Sequence, residues 1–254
     1  MTNIVILGFG NVGFHLCKTL DKYNQFSVIQ IYNRNKISIY SELKHIPSTT
    51  KLAEIKEADM YILAIPDDAI ASFSEALPLK NKLVVHTSGG AAMEALSEAN
   101  RKGVFYPLQS FSKKRDPDFN EIPICIEAER KSDLTLLKKL GEAISEKVVE
   151  VNSEERAKLH LAAVFVNNFV NYMYDISSDI LSKSKLPFEL LRPLIAETAN
   201  KIETLSPKEA QTGPAKRSDK KTIEKHLHLL ENGPHKELYQ QLTEAILTSY
   251  GKKL

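Results

Sequence analysis

The amino-acid sequence predicts an α/β N-terminal domain with a mostly parallel sheet, followed by an all-α C-terminal domain. Three observations predict this fold class. Short β-branched runs alternate with helical stretches over roughly the first 150 residues, which is typical of βαβ units. A glycine-rich turn follows the first of these runs. From Ser153 onward the pattern is helical and is broken only by proline and glycine, so we predict domains at 1–152 and 153–254.

Six strands are predicted in the N-terminal domain, each a short run rich in β-branched and aromatic residues. The runs are continuously apolar, which is typical of a parallel sheet that is covered on both faces. They lie at 4–7, 27–32, 60–65, 82–87, 104–108 and 122–127. Their connections include three amphipathic segments that predict helices, at 12–23, 66–77 and 93–102.

The composition is that of an ordinary globular protein. Hydrophobic residues make up 43% and charged residues 26%, with a net charge of +2. Nothing in this balance predicts a nucleic acid or a membrane as a partner. Cys17 and Cys125 have no metal-type spacing, so we predict no metal site and a reducing compartment. The start "MTN" lacks the basic region of a signal peptide, and we expect a cytoplasmic protein.

The segment "GFGNVG" has the spacing GxGxxG directly after the first predicted strand and at the start of a predicted helix. In this context the spacing predicts a dinucleotide-binding turn. Gly8 permits the tight turn, Gly10 lets the backbone approach a pyrophosphate, and Gly13 lets the helix pack against the strand. The predicted cofactor contacts of the turn are Gly8, Phe9, Gly10, Asn11, Val12 and Gly13. The alternative is a strand-to-helix turn that binds no ligand.

The end of the second predicted strand indicates which dinucleotide the turn would bind. An NAD site has Asp or Glu about 20 residues after the glycines, where the carboxylate binds the ribose hydroxyls. This chain has "IYNRN" at 31–35 instead, with Arg34 and no acid. Arginine pairs with a 2′-phosphate that a carboxylate would repel, and Asn33 can add a neutral hydrogen bond. We therefore predict NADP(H), with a solvated surface arginine as the alternative.

Three further segments end strands at the same edge of the predicted sheet, where ligands bind in such folds. They are "AIPDD" (64–68), "HTSGG" (86–90) and "YPLQSFS" (106–112). From the first two segments we predict further cofactor contacts at Ile65, Pro66, Asp67, Thr87 and Ser88. The alternative is that small and polar residues merely end the strands there.

A helical segment of the C-terminal domain, 154–174, carries a polar stripe. At roughly 100° per residue, five of its side chains fall within about 80° of one another: Arg156, His160, Asn167, Asn171 and Tyr174. The surface around them is broadly apolar, so we expect a helix that is buried on most sides. Buried polar groups need hydrogen-bond partners. A substrate or the nicotinamide carboxamide would supply them, and the alternatives are a second subunit or solvent.

The catalytic residues are predicted from this stripe and from the strand ends. Histidine exchanges a proton near neutral pH, which suits the proton transfer that accompanies hydride transfer. We predict His160 as the proton donor or acceptor, Asn167 as the group that orients a carbonyl, and Ser88 as a hydrogen-bonding neighbour. A structural role for His160 is the alternative.

A basic segment at 212–221 is the last candidate. Gly213 and Pro214 predict a fixed turn, and Arg217 lies in the basic run that follows it. Such runs are usually solvated. The alternative is that Arg217 reaches the cofactor phosphates or an anionic substrate.

Six stretches of the sequence, including the glycine-rich turn and the basic segment, resemble those of a known family. The N-terminal part is similar to the NADP-binding domain of pyrroline-5-carboxylate reductase, prephenate dehydrogenase and the β-hydroxyacid dehydrogenases. The whole length resembles a bacterial family of Rossmann-like proteins, whose C-terminal half is domain of unknown function 2520. Members are named as oxidoreductases that depend on NADP or on a deazaflavin coenzyme. The resemblance rests on the stretches 8–13, 33–34, 86–89, 105–112, 160–168 and 212–219.

The resemblance implies a Rossmann domain for NADP(H), a small-molecule substrate, a homodimer formed through the helical domain, and an architecture like that of 6-phosphogluconate dehydrogenase. Two departures from the relatives stand out. The family usually has a glycine where this chain has Ser218. In addition, His160 stands near the place of the catalytic lysine of the β-hydroxyacid dehydrogenases, so their chemistry does not carry over intact.

The sequence therefore predicts an NADP(H)-dependent oxidoreductase that transfers a hydride between nicotinamide and a small carbonyl, imine or alcohol. Two alternatives stay open. One is a non-catalytic NADP-binding sensor or scaffold, because fold alone does not fix function. The other is an enzyme whose second hydride carrier is a deazaflavin coenzyme.

Overall fold

The computed structural model of the chain describes residues 1–37, 41–231 and 233–250. The chain divides into two compact units, Met1–Asn168 and Phe169–Leu254. This division lies within a continuous helical stretch that begins at Ser153. The sequence-based boundary at 152/153 coincides with the start of that stretch and stays a prediction.

The first unit is built on an eight-stranded sheet with the order β3-β2-β1-β4-β5-β6-β7-β8. The strands are β1 (Thr2–Leu7), β2 (Phe26–Tyr32), β3 (Ser48–Thr49), β4 (Met60–Leu63), β5 (Leu83–His86), β6 (Arg101–Pro107), β7 (Ile124–Ala128) and β8 (Val148–Glu150). All neighbouring strands are parallel except β6 and β7. The predicted α/β class and mostly parallel sheet are therefore confirmed.

Helices cover both faces of this sheet. They are α1 (Asn11–Leu20), α2 (Ile70–Ala76), α3 (Lys131–Ile144) and α4 (Ser153–Ala163), and α4 continues into a π-helix at Val164–Phe169. Ile4 and Ile6 of β1 pack in the core cluster that α1 and α3 cover, whereas Val5 and Leu7 pack in the cluster that α2 covers. Because successive side chains of a strand point to opposite faces, burial on both faces explains the continuous apolar runs.

The chain order of the strands reverses next to β1, since β2 lies on one side of β1 and β4 on the other. Open α/β sheets bind ligands at such a reversal, beyond the carboxyl ends of the strands. The glycine-rich turn follows β1 and therefore lies at this point of the sheet.

One predicted helix, at 93–102, is wrong. The structure has a short 3₁₀ turn at Met93–Ala95, and β6 begins at Arg101. The buried Asn100 side chain accepts a hydrogen bond from the Lys82 N–H (3.1 Å) and donates one to the Leu79 carbonyl (3.1 Å). These hydrogen bonds to the backbone at Leu79 and Lys82 hold the segment before β6 in a non-helical conformation.

The regular elements of the second unit are all helices over its described residues, 169–231 and 233–250, which confirms the predicted all-α C-terminal region. Beyond the π-helix, its helices are α5 (Val170–Lys183), α6 (Arg192–Lys201), α7 (Pro207–Ala210), α8 (Lys220–Leu229) and α9 (Lys236–Tyr250). Nδ1 of His226 on α8 lies 2.8 Å from the Tyr239 hydroxyl on α9. Over the described part of the whole chain, no helix combines the length and apolarity that crossing a membrane requires.

Candidate functional site

The glycine-rich turn needs two of its glycines for its own packing. Gly8 has a φ of +104°, a conformation that favours glycine, and a Cβ built on it would lie 2.4 Å from the Ala64 carbonyl oxygen. A Cβ on Gly13 would lie 2.1 Å from the carbonyl oxygen of Gly8. These two glycines therefore allow β1, β4 and the start of α1 to approach one another closely.

Gly10 differs from the other two glycines of the turn. Its φ is −72°, and a Cβ built on it would meet no atom of the described protein within 4 Å. The packing of the protein therefore does not explain a glycine here. Gly10 is the N-cap of α1, and the first N–H groups of a helix have no partner within the helix. The open space beside Gly10, at this N-terminus, suits an anion such as a pyrophosphate.

A cavity of about 590 Å³ extends from this turn across the carboxyl ends of β2 and β4. The predicted cofactor contacts that line it are Gly8, Phe9, Gly10, Asn33, Arg34, Ile65 and Pro66. The Asn33 side chain accepts a hydrogen bond from the Phe9 N–H (3.1 Å) and donates one to the Asn35 carbonyl (2.9 Å). It thereby ties the glycine-rich turn to the end of β2.

Arg34 is exposed and makes no ion pair with any residue in the described ranges. The guanidinium is therefore available to a ligand in the cavity that it lines. A free, fork-shaped donor suits a phosphate group. The residues present at this edge of the sheet thus fit a dinucleotide that carries a 2′-phosphate.

Thr87 and Ser88, predicted as cofactor contacts, lie buried directly after β5. The Thr87 hydroxyl donates to the Leu63 carbonyl (3.2 Å). The Ser88 hydroxyl oxygen accepts hydrogen bonds from the N–H groups of Gly90 (3.1 Å) and Ala91 (2.8 Å). Ser88 therefore holds the loop after β5 in a fixed shape.

His160 lies against that loop. Its Nδ1 is 3.1 Å from the Tyr106 hydroxyl of β6. A Cβ on Gly89 would lie 2.6 Å from the same nitrogen, and one on Gly90 would lie 3.7 Å from Cδ2 of His160 and 3.3 Å from an oxygen of Asp67. The structure thus brings together His160 and Asp67, which sequence analysis placed on different segments, at the carboxyl edge of the sheet.

A second cavity, of about 480 Å³, lies beside His160 and the end of β6. Its lining is mainly apolar, and its polar members are Tyr106, Gln109, Ser110, His160, Asn167 and Asn168. The predicted catalytic residues His160 and Asn167 therefore share one cavity. Ser88 does not line it, although its loop contacts His160 through Gly89.

The expectation that the helix bearing His160 is buried on most sides is wrong. Leu161 is 60% exposed and Val166 is 73% exposed. The π-helix at Val164–Phe169 also changes the number of residues per turn, so a wheel drawn at 100° per residue fails beyond that point. The stripe is therefore not continuous. Asn171 is exposed on α5, and Tyr174 lines a separate cavity within the second unit.

Arg156 has a protein partner. The guanidinium is fully buried, forms an ion pair with Glu127 of β7 and donates to the Ala91 carbonyl (2.6 Å). Ser153 also bonds Glu127, through its hydroxyl (2.9 Å). This cluster fixes the first turn of α4 to the loop after β5. His160 stands one turn further along α4.

Burial shapes the titration of two groups at this edge. Burial, together with the positive charge of Arg156, lowers the pKa of His86 to about 4. Burial raises the pKa of Tyr106 to about 12, with smaller contributions from Cys125 and Asp67. At neutral pH both groups are therefore uncharged.

The sequence analysis did not single out Glu127 or the individual role of Tyr106. Glu127 was part of a predicted strand, and Tyr106 lay in a segment expected at the site. No local motif marks either one, because their partners are distant in the chain.

The basic segment lies in the second unit. Arg217 is exposed there, and its neighbour Ser218 has a φ of +57°. This left-handed conformation favours glycine, so the serine at this position carries backbone strain.

The two parts of the chain match two different family profiles. Residues 3–90 match the profile of a family described as NADP oxidoreductase, coenzyme F420-dependent, and residues 122–246 match domain of unknown function 2520. No curated protein matched the chain.

Solved structures match nearly the full length. A "putative NADP oxidoreductase" from Bacteroides fragilis is 40% identical with a TM-score of 0.90, over 97% of this chain and 98% of that one. A Thermotoga maritima protein is 21% identical with a TM-score of 0.80, over 98% of this chain and 100% of that one. Pyrroline carboxylate reductase from Plasmodium falciparum, solved with NADP bound, is 15% identical with a TM-score of 0.61, over 98% and 97% of the two chains.

The last two similarities show a shared fold. The Bacteroides relative and the two profile matches confirm the family that the sequence resembles and, at the level of the family, NADP(H) as the cofactor. The chain belongs to the family of NADP oxidoreductases that carry domain of unknown function 2520.

Proposed function

We propose that this protein is an NADP(H)-dependent reductase or dehydrogenase that transfers a hydride between nicotinamide and a small carbonyl, imine or alcohol carbon. The observation that carries the proposal is the position of His160. Its ring lies at the carboxyl edge of the sheet that also bears the glycine-rich turn, and it lines a cavity of about 480 Å³. A proton-exchanging group beside a cavity is what such a reaction needs from the protein.

The cofactor would be held by residues of the first cavity. The N–H groups at the start of α1 would bind the pyrophosphate, and Arg34 with Asn33 would bind the 2′-phosphate. Ile65 and Pro66 would contact the ribose on the nicotinamide side. Asp67, Thr87 and Ser88 would lie around the nicotinamide itself, beyond β4 and β5. When bound, NADPH supplies the hydride.

His160 would exchange the proton through Nε2. Nδ1 is engaged with the Tyr106 hydroxyl, and Nε2 has no hydrogen-bond partner in the described part of the chain. If Nδ1–H donates to the Tyr106 oxygen, Nε2 is the nitrogen that gains and loses the proton. During reduction, Nε2 of the protonated ring gives its proton to the substrate oxygen or nitrogen, and the ring becomes neutral. Oxidation of an alcohol returns that proton to Nε2.

Asn167 would orient the substrate. Its amide lines the same cavity as His160 and is exposed, so it can donate a hydrogen bond to a carbonyl oxygen. Ser88 would act indirectly. Its hydroxyl oxygen fixes the loop on which Gly89 contacts His160.

The test compares His160→Gln with wild type. We expect kcat with NADPH and a panel of ketones, keto acids and imines to fall by about a hundredfold or more, because general acid catalysis contributes that much. The Kd for NADPH should stay unchanged. His45→Gln, which alters an exposed histidine, is the matched control. Equal losses of kcat and of NADPH affinity would count against this role for His160.

A deazaflavin coenzyme is the second candidate for the hydride partner, in place of a small substrate. The match of residues 3–90 to a family described as coenzyme F420-dependent favours it. A change in the deazaflavin spectrum on mixing with NADPH and protein would support this candidate. If neither the deazaflavin nor the substrate panel reacts while NADPH still binds, a non-catalytic NADP-binding sensor or scaffold becomes the better account.

We also propose a homodimer in the cytoplasm. Leu161 and Val166 expose apolar side chains on one helical stretch, and such surfaces commonly bind a second copy. Cys17 and Cys125 are free and buried, which suits a reducing compartment. Light scattering of wild type and Val166→Asp tests the dimer: the substitution should lower the molar mass by half, and a wild-type monomer would refute it.

A further inference from the structure

We propose that Lys113 is the counter-ion of the cofactor's pyrophosphate, an inference that rests on the nucleotide site proposed above. Lys113 follows β6, far from the glycine-rich turn in sequence. Its Nζ nevertheless donates a hydrogen bond of 2.8 Å to the carbonyl oxygen of Phe9. Phe9 lies within that turn, so a positive charge stands directly beside the glycine-rich turn.

Two aromatic rings help to hold this ammonium group in place. Nζ lies 5.1 Å from the ring centre of Phe9 and 5.7 Å from that of Phe14, within the range of cation–π attraction. The side chain is half-buried. Its charge is therefore fixed next to the turn, and the loss of freedom on binding a ligand is small.

The ammonium group has no carboxylate partner in the described parts of the chain. The contrast with Lys18, close by on α1, is informative. Lys18 pairs with Asp116 (2.8 Å) and with Glu42 (3.2 Å). A half-buried cation without an anionic partner is costly, and an anion bound at the turn would remove that cost.

The loop that carries Lys113 is fixed to α1 by other contacts. Nε2 of His15 lies 2.9 Å from the Ser112 carbonyl oxygen, and Lys18 binds Asp116. The rings of Phe111 and His15 pack with centres 5.6 Å apart. The loop therefore has anchors on both sides of Lys113, and a substitution at this position tests the charge rather than the fold of the loop.

The position of Lys113 favours the pyrophosphate over the 2′-phosphate. Its contacts are with Phe9 and Phe14, at the turn and the start of α1, whereas Arg34 follows β2. The peptide whose carbonyl it binds joins Phe9 to Gly10, the glycine with open space beside it. Because NADPH and NADH share the pyrophosphate, Lys113 should strengthen the binding of both nucleotides equally.

The experiment measures the Kd of NADPH and of NADH for wild type, Lys113→Gln, Lys114→Gln and Arg34→Ala. Glutamine keeps a hydrogen-bond donor but removes the charge. Lys114 is the adjacent control, since it is exposed and its side chain makes no hydrogen bond or ion pair with the described residues. We expect Lys113→Gln to weaken both nucleotides about tenfold, an effect that shrinks as salt is added. Arg34→Ala should weaken NADPH alone, and Lys114→Gln neither.

The outcomes separate this inference from the proposed function. If wild type and Lys113→Gln bind both nucleotides equally well, Lys113 is only a structural contact and the inference is overturned. If Lys114→Gln loses as much affinity as Lys113→Gln, the effect is one of general charge, and the inference falls likewise. If wild type binds neither nucleotide, the proposed function itself fails. The melting temperature of each variant shows that any loss comes from a folded protein.

Discussion

The hydroxyl of Tyr106 lies 3.1 Å from Nδ1 of His160, with the two rings in an edge-to-face arrangement and their centres 6.0 Å apart. Tyr106 belongs to β6 and His160 to α4, so the sheet fixes the orientation of a side chain that a helix carries. Gly89 leaves just enough room for this pair, because a Cβ there would lie 2.6 Å from each residue.

Replacing Tyr106 with Phe should therefore impair turnover and spare cofactor binding. The ring contact remains, but Nδ1 of His160 loses its partner. A hydrogen bond of this kind contributes about 1 kcal/mol, so we expect kcat to fall about fivefold to tenfold. The pKa of Tyr106, raised to about 12, also predicts that wild-type activity shows no ionisation of this hydroxyl below pH 10. Steady-state kinetics from pH 6 to 10 and an NADPH titration measure both. An unchanged kcat would show that the hydroxyl does not position His160.

Gly10→Ala should separate stability from nucleotide binding. The new Cβ meets no described protein atom, so the free energy of unfolding should fall by no more than about 1 kcal/mol, the cost of alanine at an N-cap. NADPH affinity should fall at least tenfold, because the methyl group would occupy the space of the pyrophosphate. Gly13→Ala is the contrasting variant, since its Cβ would clash with the Gly8 carbonyl and destabilise the fold itself. Normal NADPH binding by Gly10→Ala would refute the pyrophosphate position.

Stability should fall in acid because of His86. Its pKa is about 4 in the folded protein and near 6.5 in an unfolded chain, so the unfolded state binds more protons between these values. The contribution of His86 to the free energy of unfolding is therefore fully present above pH 6.5 and is lost as the pH falls toward 4, by on the order of 3 kcal/mol in total. Urea unfolding at several pH values measures this slope.

The matched variant is His86→Asn. Its amide oxygen can accept the hydrogen bond that Nδ1 of His86 accepts from the Ser88 N–H (3.1 Å), but it does not titrate. The acid slope of the variant should be shallower than that of wild type by this contribution. Parallel slopes for the two proteins would mean that other groups cause the loss of stability.

Ser218→Gly should stabilise the second unit. Ser218 has a φ of +57°, a conformation that costs about 1–2 kcal/mol for a residue with a Cβ. Glycine removes this cost, but its greater flexibility stabilises the unfolded chain and offsets part of the effect. We expect a net gain of about 0.5–1 kcal/mol, seen as a higher melting temperature. Ser218→Ala keeps the Cβ and should give no gain. Equal melting temperatures for the glycine and alanine variants would contradict the strain.

The sequence predicted the sheet well because its strands carry an unambiguous signal. Burial on both faces makes runs such as Met60–Leu63 apolar throughout, and the glycine-rich turn marks the end of β1. The edge strands β3 and β8 are two and three residues long, too short for a pattern. The helix wrongly predicted at 93–102 shows a second limit of prediction from sequence. The hydrogen bonds of Asn100 to Lys82 and Leu79 join segments that are distant in the chain, so local sequence does not reveal them.

The candidate site was predictable where a residue's role follows from local sequence. The glycines and Arg34 occupy positions that the strand-turn-helix pattern fixes. The stripe on the helix of His160 was only partly predicted, because a π-helix shifts the side chains after Val164 and no residue pattern marked it. Arg156 shared a helical face with His160, yet its partner Glu127 lies on β7, and pairings across the fold leave no trace in local spacing.

The glycine-rich turn and Arg34 together are proposed to form the NADP(H) site. A fluorescence titration of NADPH and NADH against wild type and Arg34→Ala tests this site. Wild type should bind NADPH much more tightly than NADH, and Arg34→Ala should bind the two nucleotides alike. If wild type binds neither nucleotide, the turn at Gly8–Gly13 is only a structural connection and no NADP(H) site exists there.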